Sequence, residues 1–345
     1  MPSRLRLPDF LKDLACSVAR PIFGGLGCIV ALHRIVPEQQ LSPIAENRAL
    51  ELTPGALRAV LEWTRRRGLD VIRMDEVKAR LSEPRGAKFM AFTFDDGYRD
   101  NLTEALKVFR DFGSSFTVNV TSGFADRTTS VWWYTLEDIL TRQSSLSFTW
   151  GGKALAWSWP SPADRDRAFS EIAALIREQG AAQRDHLVQE ICSTAGVDPM
   201  QRTRELMMDW DELKQLASFW HVTIGAHTQG HHTLSLLSSA ELEAELVDAK
   251  ATIEANLDKT VRHLAYPFGG RDAVGRREFE LARECDYETA VTTRTGNLFR
   301  DHAWQLQALP RLGLSGNYSP VTLLNRLESG LVSARANRWR RVVVD

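Results

Sequence analysis

Cysteine is scarce: four residues in 345, Cys16, Cys28, Cys192 and Cys285, with no CxxC pair among them. That density excludes a disulfide framework and a cysteine-based zinc site, and leaves buried apolar thiols as the reading. Net charge is also nearly absent, with 43 Lys and Arg against 44 Asp and Glu for a balance of -1. No global field draws the chain toward nucleic acid or an acidic membrane. Long apolar runs are missing as well. The nearest one, Pro21 to Val36, is broken by Gly24, Gly25, Gly27, His33 and Arg34, and it carries no clear cleavage signature. The expected location is the cytoplasm. Residues 4–23, with Arg4, Arg6 and Lys12, leave room for a weak amphipathic contact at a membrane surface. Repeats and low-complexity segments are absent.

What is present is the composition of an ordinary globular protein, 43% hydrophobic and 25% charged, long enough for one catalytic domain with insertions. Apolar Gly27 to His33 reads as the first buried strand. A helix follows over Thr53 to Arg67, with Thr53 as N-cap, Pro54 at its first position and Gly68 just past its end. Strands near 71–73, 89–94 and 115–120, with a helix at 101–112 stopped by Gly113, argue for parallel βαβ units. Residues 122–205 break the rhythm. They hold five of the ten tryptophans and a polar, helical-looking stretch from Ala163 to Thr194, and read as an insertion over one end of the core. Alternation resumes with helices at 210–218 and 240–257 and strands near 222–226, 263–266, 288–292 and 306–314. Residues 1–26 thus precede an α/β region spanning 27–320, and 321–345 read as a C-terminal helix with a basic tail, Arg338 to Arg341.

Two clusters carry chemistry. The first is Thr93-Phe94-Asp95-Asp96-Gly97-Tyr98, where a buried strand ends in two carboxylates and a glycine. Parallel α/β folds place ligands at that end of their strands. Adjacent carboxylates repel unless a cation or a shared proton relieves them, although Asp-Asp-Gly is also a plain turn sequence. The second is His227-Thr228-Gln229-Gly230-His231-His232, after the short strand Val222–Ala226. It gathers three of the eight histidines within six residues. Two imidazoles and one carboxylate leave open positions on a zinc-like ion for water and substrate. Trp132 and Trp133 suit either packing of the insertion or a wall for sugar rings, with packing favoured. Glu137, Asp138 and the face Glu241, Glu245, Asp248, Lys250 read as solvated.

Read together, TFDDG, then HTxxH roughly 130 residues on, then Tyr266-Pro267-Phe268-Gly269, resemble the polysaccharide deacetylase family (NodB-homology, carbohydrate esterase family 4) over about 27–316. The resemblance implies a distorted (β/α)7-type barrel and hydrolytic N-deacetylation of an amino sugar in a glycan or glycan precursor, with no nucleic acid as partner. It implies Asp95 as general base and Asp96, His227 and His231 as ligands of a divalent metal, zinc foremost, with cobalt, nickel or manganese also suited. His232 stands where the family usually has proline and competes with His231. Thr228 holds the loop and is a candidate to touch substrate, Tyr266 lies at the substrate, and the Phe268 N–H is the oxyanion donor. The family's base-orienting arginine is replaced by Ala265; Arg311 is the candidate substitute and Arg262 a weaker one. The late histidine that usually acts as acid has His302 as its only counterpart, whereas Ala31-Leu32-His33-Arg34 is similar to a motif of biofilm deacetylases and favours His33. Two other readings compete: a glycan-binding protein that has lost turnover, and an amidohydrolase of a small non-sugar amide.

Overall fold

In the computed structural model the residues described are 9–83 and 86–342. Eight parallel strands form one sheet: β1 (Gly27–Leu32), β2 (Asp70–Ile72), β3 (Phe89–Phe94), β4 (Phe116–Val120), β5 (Val222–Ala226), β6 (His263–Ala265), β7 (Thr289–Thr295) and β8 (Leu309–Gly313). Seven of them close on themselves in the order β1-β3-β4-β5-β6-β7-β8, because β1 pairs along its whole length with β3 and also with β8. β2 stands outside this ring. It pairs with the first half of β3, Asp70 opposite Phe89, while β4 takes the second half, Thr93 opposite Thr117. The result is a (β/α)7-type barrel. Strands such as Phe89-Met90-Ala91-Phe92-Thr93-Phe94 are buried at every position, as expected when both faces of a parallel sheet are covered.

All strands run the same way, so the residues that follow their C-terminal ends meet at one rim. Several helices match the sequence reading. Thr53 caps Pro54–Arg66, accepting from the Ala56 N–H at 3.1 Å. The helix after β3 opens with a wider π-helical turn, Asn101–Ala105, before Leu106–Phe112, and ends at left-handed Gly113. Helices Asp9–Phe23, Met74–Ser82 and Arg276–Glu284 were not anticipated. In Arg276–Glu284 the apolar stripe is narrow among many charges, which hides its period. The expected single C-terminal helix is two, Pro320–Glu328 and Leu331–Ala336, divided at Gly330. Gly330 has positive φ, and a Cβ there would strike the Phe23 carbonyl at 1.9 Å.

The chain's two end segments pack on each other, with the Arg20 guanidinium 2.6 Å from Glu328 and the rings of Phe23 and Trp339 5.8 Å apart. Leu14, Val18 and Ile22 form an exposed stripe on the first helix. Arg4 and Arg6 of the proposed membrane contact lie outside the described residues, and so does the side chain of Lys12. No helix among the described residues is long and apolar enough to cross a membrane. Cys16, Cys28 and Cys192 are buried, Cys285 is half-buried, and all four are free thiols.

The insertion carries its own hydrophobic core, built from residues such as Trp132, Leu136, Ile139, Phe169, Ile172 and Leu187. The helical-looking stretch from Ala163 to Thr194 is two helices, Pro162–Arg177 and Ala181–Ala195, separated at Gly180. Before them stands an antiparallel hairpin, Ser145–Trp150 with Lys153–Ser158, that the sequence reading missed. Its Gly151-Gly152 turn, both residues at positive φ, is a recognised hairpin signal. Two residues read as solvated are not. Asp138 is buried and paired with Arg202. Glu137 accepts from Ser42 Oγ at 2.6 Å and Asn47 Nδ2 at 2.7 Å.

Candidate functional site

Asp95 leaves the end of β3 into a dense set of donors. Arg311 on β8 meets it with two parallel bonds, Nη1 to Oδ1 at 2.8 Å and Nη2 to Oδ2 at 2.6 Å. Asn119 on β4 adds a third to Oδ1 at 2.9 Å. Arg311 is itself fully buried and held by the Thr292 carbonyl at 2.9 Å and Thr93 Oγ1 at 3.0 Å. Burial alone pushes the Asp95 carboxyl up, but Arg311 foremost, with His227 and His33, together outweigh it and hold the group well below the usual carboxylate range. Three of its four lone-pair positions are occupied, leaving one on Oδ2. Arg262 stands elsewhere, half-exposed just before β6 and paired with Asp75 and Glu288, so of the two arginine candidates only Arg311 reaches Asp95.

Asp96 is the opposite case. Its Oδ1 has no hydrogen-bond donor, yet it is buried and lies 3.3 Å from Nε2 of both His227 and His231. His227 Nδ1 is 2.7 Å from the Ala265 carbonyl. A carbonyl only accepts, so that nitrogen carries the proton, and a neutral ring then points a lone pair at the Asp96 oxygen. Acceptors facing acceptors at this distance call for a positive charge between them. Burial works against a charged His227, but Asp95 and Asp96 outweigh it and raise its pKa. Asp96, against its own burial, is held well below the ordinary range by the two imidazoles. One ligand atom from each of Asp96, His227 and His231 falls within 4.8 Å of the others. This donor set, two borderline nitrogens and a carboxylate oxygen with one orphaned acceptor, fits a divalent cation.

The cluster is held in unusual backbone. Asp96, Thr228, His231 and Phe268 all have positive φ, which side-chain-bearing residues adopt at a cost. Thr228 steadies the loop, its Oγ1 accepting from the His231 N–H at 3.2 Å. It is fully buried and is not among the residues that line the cavity. His232 turns away from the centre, its Nδ1 2.7 Å from Glu245 Oε1. Glu245, read from the sequence as solvated, is buried and also accepts from the Gln229 and Gly230 N–H groups at 3.0 and 2.8 Å. From the insertion, buried Arg184 donates to the carbonyls of Gly230 and His231 at 2.9 and 2.8 Å. Glu245 was misread and Arg184 passed over because a charged residue on an amphipathic helix looks solvated until its covering partner is known.

A cavity of about 280 Å³ opens over these groups. Half-buried His33, Asp95, Asp96, His227 and His231 form its floor, with Tyr266, Phe268 and Thr293 on one side. Tyr266 presents its ring, since its hydroxyl donates to the Gln307 carbonyl at 2.8 Å. Burial lowers the His33 pKa, against the pull of Asp96 and Asp95. His302 does not reach the cavity. It is buried on the segment that Leu298 bridges to Gly27 at the start of β1, the barrel end opposite Asp95. Trp132 and Trp133 do both things considered for them. They pack into the insertion core and they line the cavity, Trp133 with its ring 5.1 Å from that of His231. Glu46, Asn47, Leu50, Phe169 and Arg177 complete the lining and were not foreseen.

Comparison with known proteins agrees with this arrangement at the level of the fold. A deacetylase, PplD, from Streptococcus pyogenes, solved with acetate, superposes with a TM-score of 0.55 at 18% identity, covering 87% of this chain and 96% of that one. The polysaccharide deacetylase BC0361 from Bacillus cereus gives 0.55 at 15% identity, covering 87% and 68%. IcaB from Ammonifex degensii gives 0.53 at 14%, covering 87% and 97%. No curated protein matches the sequence. The family model described as polysaccharide deacetylase matches residues 82–290, well over half of the chain, and takes in both the acidic doublet and the histidine loop. The chain therefore belongs to the polysaccharide deacetylase family, hydrolases of carbon–nitrogen bonds other than peptide bonds.

Proposed function

We propose that this protein is a metal-dependent N-deacetylase of an N-acetylated amino sugar, with Asp96, His227 and His231 as the metal ligands. The observation that carries the reading is the convergence of those three ligand atoms beside a second carboxylate, one that accepts three hydrogen bonds, on the floor of one cavity. A divalent cation held there, zinc being the best match to the donors, supplies Lewis acidity toward the acetyl carbonyl and the attacking water.

The remaining work falls to the chain itself. Asp95 accepts the water's proton through the free lone pair on Oδ2. Arg311 and Asn119 fix its orientation, at some loss of basicity. The Phe268 N–H, on a backbone turned by positive φ, faces the oxygen that gains charge, where preorganised donors have their largest effect. His33 passes to the departing amine the proton that Asp95 takes from the water, and burial, which lowers its pKa, makes it give that proton up readily. Thr228 holds the ligand loop and the ring of Tyr266 forms part of the wall. Four unpaired thiols suit a reducing compartment, which supports a cytoplasmic site of action. The stripe Leu14, Val18, Ile22 supports a peripheral membrane contact.

The test is acetate release from N-acetylglucosamine oligosaccharides before and after chelation. Turnover is expected to vanish with chelator and return with added zinc or cobalt. Unchanged turnover in stripped, metal-free protein overturns the metal assignment.

A further inference from the structure

The family reading alone does not say how much of a glycan the site accepts. The cavity walls do. On the β1 side, helix Ala45–Ala49 leans over the rim, and the insertion helix Pro162–Arg177 comes to meet it. Glu46 and Arg177 face each other across the join at 3.6 Å, and Ser170 Oγ donates to Glu46. The Ala45 N–H donates to Asp166 at 3.1 Å, and Arg165 to the Pro43 carbonyl at 3.2 Å. Beneath this seam Asn47 is fastened to the insertion by Glu137 and by the Trp133 carbonyl at 3.1 Å. Ile44 is fully buried in the insertion's own core. Two segments joined by hydrogen bonds, an ion pair and shared apolar packing form a wall, since opening it strands buried polar and apolar groups together.

A polymer attacked at an internal ring needs a groove open at both ends. Here one end stops at that wall. The space inside, about 280 Å³, lies just under the range of roughly 300–1,000 Å³ for sites that enclose drug-sized ligands. It suits one acetylated ring and not three. Its lining pairs flat apolar surface from Trp132 and Leu50 with the polar groups of Glu46, Asn47 and Arg177, the mixture that a single hydroxyl-rich ring requires.

Resting on the deacetylase reading above, we infer that the substrate is a terminal N-acetylated sugar, the last ring of a glycan or a sugar carried singly on a larger group. The Glu46–Arg177 seam then sets the specificity, by closing the path to internal rings.

An N-acetylated tetrasaccharide tests this, with the products sequenced by tandem mass spectrometry. One chain end is expected to lose acetate at least about tenfold faster than either internal ring, the scale on which a walled pocket discriminates. Arg177→Ala and Glu46→Ala, both on the partly exposed rim, are expected to bring internal release up toward the terminal rate. Internal release as fast as terminal release in the unaltered protein overturns the inference while leaving the deacetylase reading intact. If no acetate is released from any ring, that reading fails, and saturation-transfer NMR of the same tetrasaccharide decides the inference separately. Transfer confined to one terminal N-acetyl methyl upholds it, and equal transfer to internal methyls overturns it.

Discussion

Asp95 and Asp96 are neighbours in sequence and could hardly be placed more differently. Asp95 receives three hydrogen bonds from Arg311 and Asn119. Asp96, a peptide unit away, has a buried oxygen with no donor and two imidazole nitrogens 3.3 Å from it. The turn at the end of β3 produces the difference. Asp96 adopts positive φ, which throws its side chain toward the histidine loop while Asp95 stays beside β8, held by Arg311. A carboxylate already neutralised by an arginine and holding three protein donors has little need of a metal. One surrounded by acceptors has every need of a positive charge.

Isosteric amides break the comparison most directly. Asp95→Asn is expected to lower acetate release on the order of 10²–10⁴-fold while metal remains bound. Asp96→Asn is expected to lose both activity and metal, read by elemental analysis of the dialysed protein. Exchange of these two patterns would reassign the roles. Stability separates them too. Asp95→Asn leaves the buried Arg311 charge without its partner, a change that costs about 3–5 kcal/mol in comparable pairs. In chelator, Asp96→Asn replaces a crowded acceptor and is expected to unfold no more readily than the unaltered protein. Denaturant titrations of both variants in EDTA check this, and a large loss for Asp96→Asn alone would contradict it.

The two histidines weighed for the acid role extend the contrast to the two ends of the barrel. His302 is fully buried away from the cavity, and burial pushes its pKa down to about 4. The unfolded chain binds that proton first as pH falls, so stability is present above pH 6.5 and is lost as the pH drops toward 4. The loss attributable to this one group is at most about 3 kcal/mol. His302→Gln is expected to flatten that part of the pH–stability curve and leave turnover at pH 7 in place. His33→Gln is expected to slow turnover on the order of 10²-fold with metal content unchanged. A turnover defect in His302→Gln with none in His33→Gln would return the acid role to the late histidine.

The rim was legible from sequence because barrels bring strand ends together, and the ends of β3 and β5 carry dense, unusual side chains. Asp95, Asp96, His227 and His231 needed no tertiary information to be suspected. Arg311 was found by asking what replaces an arginine where Ala265 stands. The walls were not legible in the same way. Glu137, Asp138 and Glu245 sit on amphipathic helices, where a carboxylate faces water unless another segment covers it; Ser42 and Arg202, which meet the first two, lie far off in the chain, and the loop that meets Glu245 precedes its helix without any local pattern that joins them. Arg184 was missed for the same reason. Glu46 and Arg177 are separated by 131 positions and no local pattern joins them. The Gly151-Gly152 hairpin differs, because its signal, two glycines between two short alternating strands, stands in the local sequence.

Arg184 also supplies the smallest and sharpest test of how the Asp96 side is held. It comes from the insertion, yet its guanidinium donates to the carbonyls of Gly230 and His231, the residue that must sit at positive φ to aim its imidazole. Removing it leaves the ligands in place but frees the loop to relax toward ordinary backbone. Arg184→Met keeps most of the side-chain volume and is expected to weaken metal affinity about 10- to 100-fold, the usual effect of losing a group that orients a ligand. At saturating metal the rate is expected to recover, since Asp95 and Arg311 are untouched. Competition with a chromogenic chelator gives the affinity. An unchanged affinity would mean that Thr228 and Glu245 alone hold the loop, and that the insertion contributes walls to the site without shaping its floor.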